Sequence, residues 1–225
     1  MTPVLRQILL SPVVHPAGAV FVDKTSGTLG SSGTIALPAA AVSGNLCVIA
    51  LQDSSGHTGQ ALTTAGSGGP IGTVGAGITT TPSAFFFQLF ALVLNGADVS
   101  GARLLTLANG GLNNEISISC YSGATTVAQT EYVRQASRTD TLTFTGLTPS
   151  GSSKGFVSMM VAEGGSPNNV ITPPSGWTMR LNNQADGVWA PVISDQLSGY
   201  MNASIIFSGY TVTGNDVCGV LLEMT

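Results

Sequence analysis

A possible nucleophile motif lies in the second half of the chain. The stretch GSSKG, residues 151–155, matches the G-x-S-x-G pattern of hydrolases, with Ser153 at the position of the attacking serine. That chemistry needs a sharp strand-to-helix turn and a histidine later in the chain. Here His15 and His57 both come earlier, and an apolar, strand-like run follows the motif. We therefore interpret GSSKG as a polar turn.

A second group of reactive side chains is DSSGH, residues 53–57, which contains a carboxylate, two hydroxyls and an imidazole. Such groups could carry out acid–base or nucleophilic catalysis if the fold oriented them. Adjacency in sequence does not orient them, and an aspartate that follows an apolar strand commonly hydrogen-bonds the backbone of its own turn. The pattern favours a turn that starts at Asp53.

The acidic side chains provide no distinct pair for glycoside hydrolysis. That reaction uses two carboxylates that flank one bond, and no spacing selects two from Glu115, Glu163, Asp186 and Asp195. We expect Glu163 and Asp195 at solvated strand ends. The oxygen-rich stretch NNQADG, residues 182–187, lacks EF-hand spacing and is expected to be a tight turn. The sequence thus predicts no catalytic residue, no metal site and no cofactor, and the protein is expected not to be an enzyme.

Aromatic side chains offer a binding function instead, because sugar rings stack on exposed aromatic faces. The positions that could serve this role are Trp177, Trp189, Tyr200 and Tyr210. The alternative is that these rings fill a core otherwise built from alanine, valine and leucine. Trp177 follows the turn sequence PPSG, so we expect its ring to fold back as a lid on a sheet, with Arg180 pointing the other way.

The composition indicates strands as the elements that position these residues. The 225 residues include 29 Gly, 11 Pro, 25 Thr and 24 Ser, which interrupt nearly every window that a helix would need. Charged residues make up 8 %, against roughly 25 % in ordinary globular domains. A net charge of -4 without a basic cluster excludes nucleic acid as the expected partner. The longest apolar run, residues 84–94, is shorter than the about 20 residues of a membrane-spanning helix, so no membrane is expected either.

The expected fold class is all-β, an antiparallel, jelly-roll-like β-sandwich with an extended N-terminal arm over residues 1–20. Strands are predicted in the apolar segments between turn sequences, including residues 46–52, 155–162 and 178–182. The uncharged segment 63–83 is rich in glycine and threonine and is predicted to be a long loop.

The sequence also contains an internal echo. TIALPAAAVSG, residues 34–44, aligns without a gap with TLTFTGLTPSG, residues 141–151, and an apolar strand follows each copy. The sandwich, residues 21–225, is therefore expected to consist of two pseudo-repeated halves, about residues 21–135 and 136–225.

Three cysteines, Cys47, Cys120 and Cys218, are dispersed among apolar runs. Their spacing matches no metal motif and indicates no disulfide framework, so they are predicted to serve as small buried hydrophobic residues.

Several phrases in the second half resemble a known class of proteins. LTPSGSSKGFVSMMVAEGG, ITPPSGWTMRLN, PVISDQLSG, SIIFSG and the closing VCGVLLEM are similar to motifs of the β-sandwich proteins that tailed bacteriophages carry as tail fibre, minor tail or other virion structural proteins. The resemblance covers residues 139–225 well and residues 25–51 loosely. The first half has no second PPSGW phrase.

The resemblance implies a non-enzymatic structural component of the virion exterior, most simply a tail fibre or appendage, assembled in the host cytoplasm. The expected partners are other virion proteins, further copies of the chain in a homo-oligomer, with a trimer favoured, and a host surface glycan. A capsid decoration protein is the alternative within this class. A carbohydrate-binding module is the alternative of another class.

Overall fold

We describe the protein from a computed structural model. The residues it describes are 17–30, 33–53, 60–66, 70–80, 85–108, 114–135, 141–162, 171–182, 191–197, 205–209 and 217–225.

Strands form almost all of the regular structure in these residues. In chain order they are β1 (Val20–Leu29), β2 (Gly33–Ala36), β3 (Leu46–Asp53), β4 (Ala61–Thr64), β5 (Gly72–Thr80), β6 (Phe85–Val93), β7 (Leu104–Ala108), β8 (Asn114–Ser122), β9 (Val127–Gln135), β10 (Thr141–Phe144), β11 (Gly155–Ala162), β12 (Thr178–Asn182), β13 (Val192–Gln196), β14 (Ile205–Ser208) and β15 (Val217–Met224). One four-residue helix, α1 (Gly96–Val99), lies between β6 and β7. The predicted all-β class is confirmed.

The strands form four sheets, and all the pairings between strands are antiparallel. The first inner sheet has the order β1-β8-β3-β6-β5, and the first outer sheet has the order β2-β7-β4. The second inner sheet has the order β12-β13-β11-β15-β9, and the second outer sheet pairs β10 with β14.

Three hydrophobic cores join the sheets into four layers. One core, with Ile49 and Leu105, lies between the first inner and first outer sheets. Another, with Phe156 and Phe207, lies between the second inner and second outer sheets. The third, with Val48 and Val220, lies between the two inner sheets. The protein is thus two sandwiches packed face to face, and we call the contact between the two inner sheets the seam.

The burial patterns of the strands explain this layering. The central strands β3 and β15 are buried at every position, as expected for strands covered on both faces, and they read as nearly continuous apolar runs. Strands β4 and β10 of the outer sheets alternate between buried and half-buried residues, because only one face contacts a core.

The two inner sheets have the same strand order when β1, β8, β3, β6 and β5 are matched with β9, β15, β11, β13 and β12. The first strand of each set also has a register shift near its start, at Phe21/Asp23 in β1 and opposite Glu223/Met224 in β9. The chain changes sheets at residues 123–126, because β9 pairs with β15 of the second sandwich. This change comes before the predicted division at residues 135 and 136.

The prediction of a loop over residues 63–83 is wrong for the residues of this segment that the structure describes. Residues 63–64 belong to β4, and β5 occupies residues 72–80 at the edge of the first inner sheet. Gly75 and Gly77 have positive φ angles, 71° and 69°, at a break in the β5–β6 ladder between Val74 and Ile78. The glycines that suggested a loop instead allow a bulged edge strand. Because β5 pairs with β6 rather than extending the outer sheet, the jelly-roll assignment stays a prediction.

The prediction for the cysteines is wrong for two of them. Cys47 of β3 lies directly opposite Cys120 of β8, with a Cα–Cα distance of 4.2 Å, and the two form a disulfide. They are separated by 73 positions in the sequence, so only the strand pairing reveals the bond. Cys218 lies buried in β15, as predicted.

Most of the N-terminal arm predicted over residues 1–20 lies outside the described residues. Of its last residues, Val20 already belongs to β1. The Ala19 N–H donates a hydrogen bond to the Lys154 carbonyl at 2.7 Å, which ties the entry of the first sandwich to the second.

Candidate functional site

Trp177 is the one predicted glycan-contact residue that lies among the described residues; Trp189, Tyr200 and Tyr210 lie outside them. The turn before it is closed by a hydrogen bond from the Trp177 N–H to the Pro174 carbonyl, and Gly176 has a φ of 86°. The half-buried Trp177 ring meets the Phe207 ring edge-on, with centroids 5.6 Å apart. The ring is therefore a lid over the core of the second sandwich, as its turn sequence predicted, and its packed face is not open for stacking.

Two motifs that suggested catalysis form turns in their described parts. Residues 151–152 form a turn, the Ser153 N–H donates to the Ser150 carbonyl, and Gly155 begins β11. A strand rather than a helix follows Ser153, so the predicted polar turn is confirmed. Asp53 ends β3 and accepts a hydrogen bond from the side-chain amide of Gln60. The rest of DSSGH lies outside the described residues.

Asp195 is buried, which corrects its prediction as a solvated strand end. It lies within β13, its side chain is 1 % exposed, and its Oδ2 accepts a hydrogen bond from Arg180 Nε at 2.7 Å. The strand pairing explains the contact, because Thr178 pairs with Asp195 and Arg180 follows two positions later, at the register shift of β12. Glu163 and Asp186 lie outside the described residues.

The Arg180 side chain also reaches across the seam to the first sandwich. Its guanidinium carbon lies 4.4 Å from the centroid of the Phe21 ring in β1, a cation–π geometry. Phe21 in turn meets the buried Tyr121 ring edge-on, with centroids 5.8 Å apart. Arg180 therefore points away from Trp177, as predicted, and links the two inner sheets. We call Arg180, Asp195, Phe21 and Tyr121 the arginine latch.

A tyrosine crosses the seam at the opposite edge of the second inner sheet, also toward the first inner sheet. Tyr132 of β9 reaches the gap in the β5–β6 ladder, where its hydroxyl donates to the Val74 carbonyl and accepts from the Leu89 N–H at 3.2 Å. Gly75 leaves room for the ring, since a Cβ there would lie 2.5 Å from Tyr132 Cε2. We call Tyr132, Val74, Leu89 and Gly75 the tyrosine latch.

Burial dominates the electrostatics of both latches. Desolvation raises the pKa of Asp195 above its ordinary 3.8, although the hydrogen bond and charge of Arg180 oppose the rise. Burial raises the pKa of Tyr132 to about 12. It also raises the pKa of Tyr121 far above the ordinary range of a phenol, and the Asp195 carboxylate adds to that rise. The Tyr121 hydroxyl and Asp195 Oδ1 make no hydrogen bond to a described residue.

A groove of about 240 Å³ opens where the two sandwiches meet. It is lined by parts of β3, β5 and β6 and by residues 125–127, which lead into β9. Its polar side chains are the hydroxyls of Thr73, Thr125 and Thr126, and no charged side chain lines it. The groove is therefore suited to neutral ligands rather than to phosphate groups, which are bound mainly by charge.

The described residues contain no group of three or more His, Cys, Asp or Glu side chains that could hold a metal ion. Within the same ranges, no helix has the length and apolar character to cross a membrane. The latches can align and fasten the two sandwiches. Their side chains make ring and hydrogen-bond contacts that cross the seam.

Sequence patterns missed the latches because each joins residues far apart in the chain. Phe21 and Tyr132 lie in predicted strands, and for Arg180 the sequence predicted only that it points away from Trp177. One signal was present: Gly75 and Gly77 flank a single alanine, a spacing typical of a bulge that another side chain approaches closely.

Comparisons of the chain with models of known protein families, with curated proteins and with solved structures find no match.

Proposed function

We propose that this protein is a non-enzymatic structural component of a bacteriophage virion exterior, most simply a tail fibre or appendage protein that acts as a homo-oligomer, with a trimer favoured. The sequence resemblance over residues 139–225 suggests the class. The double sandwich supports it with a stack of four sheets that three hydrophobic cores join.

The main support for the proposal is that the residues of the resembling motifs pack inside the fold. In PPSGWTMR, Trp177 packs on Phe207, and Arg180 pairs with Asp195 of the ISD phrase. The distinctive residues of these phrases therefore make contacts that hold parts of the fold together. This supports a scaffold, because these side chains contact other parts of the fold. The carbohydrate-binding alternative has correspondingly less support.

The disposition of charge agrees with a scaffold that contacts neutral neighbours. Several charged side chains bind backbone groups of adjacent loops instead of facing solvent alone. Asp23 accepts from the Ala40 N–H, Arg103 donates to the Pro38 and Ala41 carbonyls, Glu131 accepts from the Thr145 and Gly146 N–H groups, and Glu223 accepts from the Ser150 N–H. These four charged side chains are thereby engaged in contacts within the fold.

A capsid decoration protein is the second candidate, and the neutral groove supports it. A decoration protein must clamp neighbouring shell subunits, and the groove presents hydroxyls and aliphatic side chains. A tail appendage would instead bury strand faces against other copies of the chain and leave its far loops for host glycans.

Quantitative mass spectrometry of purified particles tests the proposal. If the protein copurifies with particles at a small multiple of the tail symmetry, an appendage is supported. A copy number that matches the shell subunits supports decoration. If the protein is made during infection but absent from purified particles, the proposal is wrong. Labelling with an antibody fragment and imaging the particle then locates the protein directly.

A further inference from the structure

The Cys47–Cys120 disulfide lies deep inside the first sandwich. Both cysteines are fully buried, and their side chains face the core between the first inner and first outer sheets, beside Ile49 and Ile118. The bond joins β3 to β8, which already pair along their whole length, from Leu46 opposite Tyr121 to Asp53 opposite Asn114. It therefore fastens a pairing that other interactions also specify.

A comparison with the second sandwich indicates whether the strand arrangement needs this bond. Its strands β11 and β15 occupy the same places in the sheet order as β3 and β8. Cys47 and Cys120 form the second residue pair from the start of β3, and the second pair from the start of β11 is Phe156 opposite Glu223. The same arrangement of strands thus forms without a covalent link at the matching position.

We propose that the Cys47–Cys120 bond is a redox lock on the first sandwich. The chain folds with both thiols reduced, and the bond closes when the protein meets an oxidising environment. Only the timing, after release from the host cytoplasm, rests on the proposed function. Cytosolic thiols are kept reduced, whereas disulfides persist outside the cell.

The closing step is an exchange with a small disulfide such as oxidised glutathione. The thiolate of one cysteine attacks the small disulfide, forms a mixed disulfide and releases one thiolate. The second cysteine, after losing its proton, attacks the mixed disulfide, closes the protein bond and releases a second thiolate. The protein loses two electrons and two protons, and one small disulfide is reduced to two thiols.

The burial of the cysteines sets the kinetics of the lock. A mixed disulfide is too large for a core in which both sulfurs are fully covered. Exchange must therefore pass through an opening of the first sandwich. We expect closure to be faster in a low concentration of denaturant, and we expect the closed bond to resist reductant as long as the protein is folded.

Closure should raise stability without changing the fold. A bond between residues 73 positions apart restricts the unfolded chain more than the folded one. The expected effect is a higher denaturant midpoint for the oxidised protein and unchanged strand content by circular dichroism.

The test uses the whole chain produced in a reducing cytoplasm, and each thiol count is made by alkylation in a denaturing concentration of urea, so that buried cysteines also react. The chain has three cysteines, and we expect all three to be alkylated at lysis but only one after incubation of the purified protein with oxidised glutathione. Incubation should raise the urea midpoint of the wild type. It should leave the midpoint of the Cys47→Ala/Cys120→Ala variant unchanged, while Cys218→Ala should respond as the wild type does.

Three results would overturn the lock. They are a bond already closed at lysis, a reduced wild-type chain without strand content, and a midpoint that oxidation does not move. The reduced wild type gives this answer even if the double variant fails to fold. The lock and the virion proposal can fail separately, since absence from particles leaves the thiol counts unchanged and a missing lock leaves the copy number unchanged.

Discussion

The Arg180 guanidinium holds two partners from different sandwiches at once. Its Nε lies 2.7 Å from Asp195 Oδ2 within the second inner sheet, and its guanidinium carbon lies 4.4 Å from the centroid of the Phe21 ring in the first inner sheet. A buried carboxylate thus draws the cation into the seam, and the cation carries the contact across it. The stability of the protein should depend on this one side chain more than its position in a short edge strand suggests.

Removing the cation should destabilise the fold. In Arg180→Ala the buried Asp195 loses its counter-charge, and Phe21 loses the group above its ring. Because the Arg180 side chain is 25 % exposed, we expect a loss of about 2–3 kcal/mol in the free energy of unfolding, below the about 3–5 kcal/mol of fully buried pairs. Urea unfolding measures it.

Lys24→Ala is the matched control for Arg180→Ala, since it removes one exposed cation from β1. We expect a change within about 0.5 kcal/mol for this surface substitution. An equal loss in both variants would mean that net charge, and not the arginine latch, stabilises the protein.

Acidification should raise the free energy of unfolding of the wild type relative to that of Asp195→Asn. Burial raises the pKa of Asp195 above 3.8, so the folded state binds the proton more readily than the unfolded state does. The contribution of Asp195 to stability is therefore greatest below pH 3.8 and is lost as pH rises through the folded-state pKa. Urea unfolding of both proteins from neutral pH down to pH 3.8 measures the difference.

The Arg180→Ala variant tests whether Arg180 affects this pH dependence. The Arg180 hydrogen bond and charge lower the pKa of Asp195, so their removal should raise it further and steepen the dependence on pH. A stability difference between wild type and Asp195→Asn that stays constant over this range would contradict the prediction.

Two glycines with nearly the same positive φ angle test the tyrosine latch. Gly75 has a φ of 71° and Gly101 a φ of 69°, but a Cβ at Gly75 would meet the Tyr132 ring at 2.5 Å, whereas a Cβ at Gly101 meets nothing within 4 Å. Both Gly→Ala substitutions place a side chain at a positive φ angle, which strains the backbone. Gly75→Ala should cost about 1–3 kcal/mol more, because it overpacks the latch, as measured by thermal unfolding.

A Tyr132→Leu background should shrink the extra cost of Gly75→Ala, because the flexible leucine can move away from the new methyl group. If Gly75→Ala and Gly101→Ala are equally destabilised in the wild-type background, Tyr132 does not occupy the gap in the β5–β6 ladder.

Trp177→Ala should lower stability and leave glycan binding unaffected. The half-buried ring contacts Phe207, so we expect a loss of about 2 kcal/mol, less than the about 3–5 kcal/mol of a fully buried tryptophan. Trp177→Phe keeps a ring over the core and should recover part of the loss. The measurements are urea unfolding and a glycan array with both variants. A glycan signal of the wild type that disappears in a folded Trp177→Ala protein would restore the binding interpretation.

Local signals predicted much of the strand layout. The strands at residues 46–52, 155–162 and 178–182 were confirmed because apolar or β-branched runs there are bounded by turn residues. The turn before Trp177 and the opposite directions of Trp177 and Arg180 followed from the same alternation. Strand β5 was missed because its glycines, which fit a bulge, are equally typical of a loop.

The candidate site was less predictable. Asp195 looked like a solvated strand end, since nothing in its neighbourhood shows that a second sheet covers β13. The partner of Cys47 was equally hidden, because the pairing of β3 with β8 sets it. Both errors arise because local sequence patterns do not show which strands and sheets become neighbours.

By itself the sequence determined the secondary structure class and the neutral surface, because glycine, proline and hydroxyl residues suppress helices and because few charged residues exist to cover the outside. Only the tertiary structure decided which side chains meet across the seam. Strand pairing and sheet stacking join residues from distant parts of the chain, as they do Arg180 and Asp195. The pKa of Tyr132 rises only when the two inner sheets pack together and exclude water from the seam.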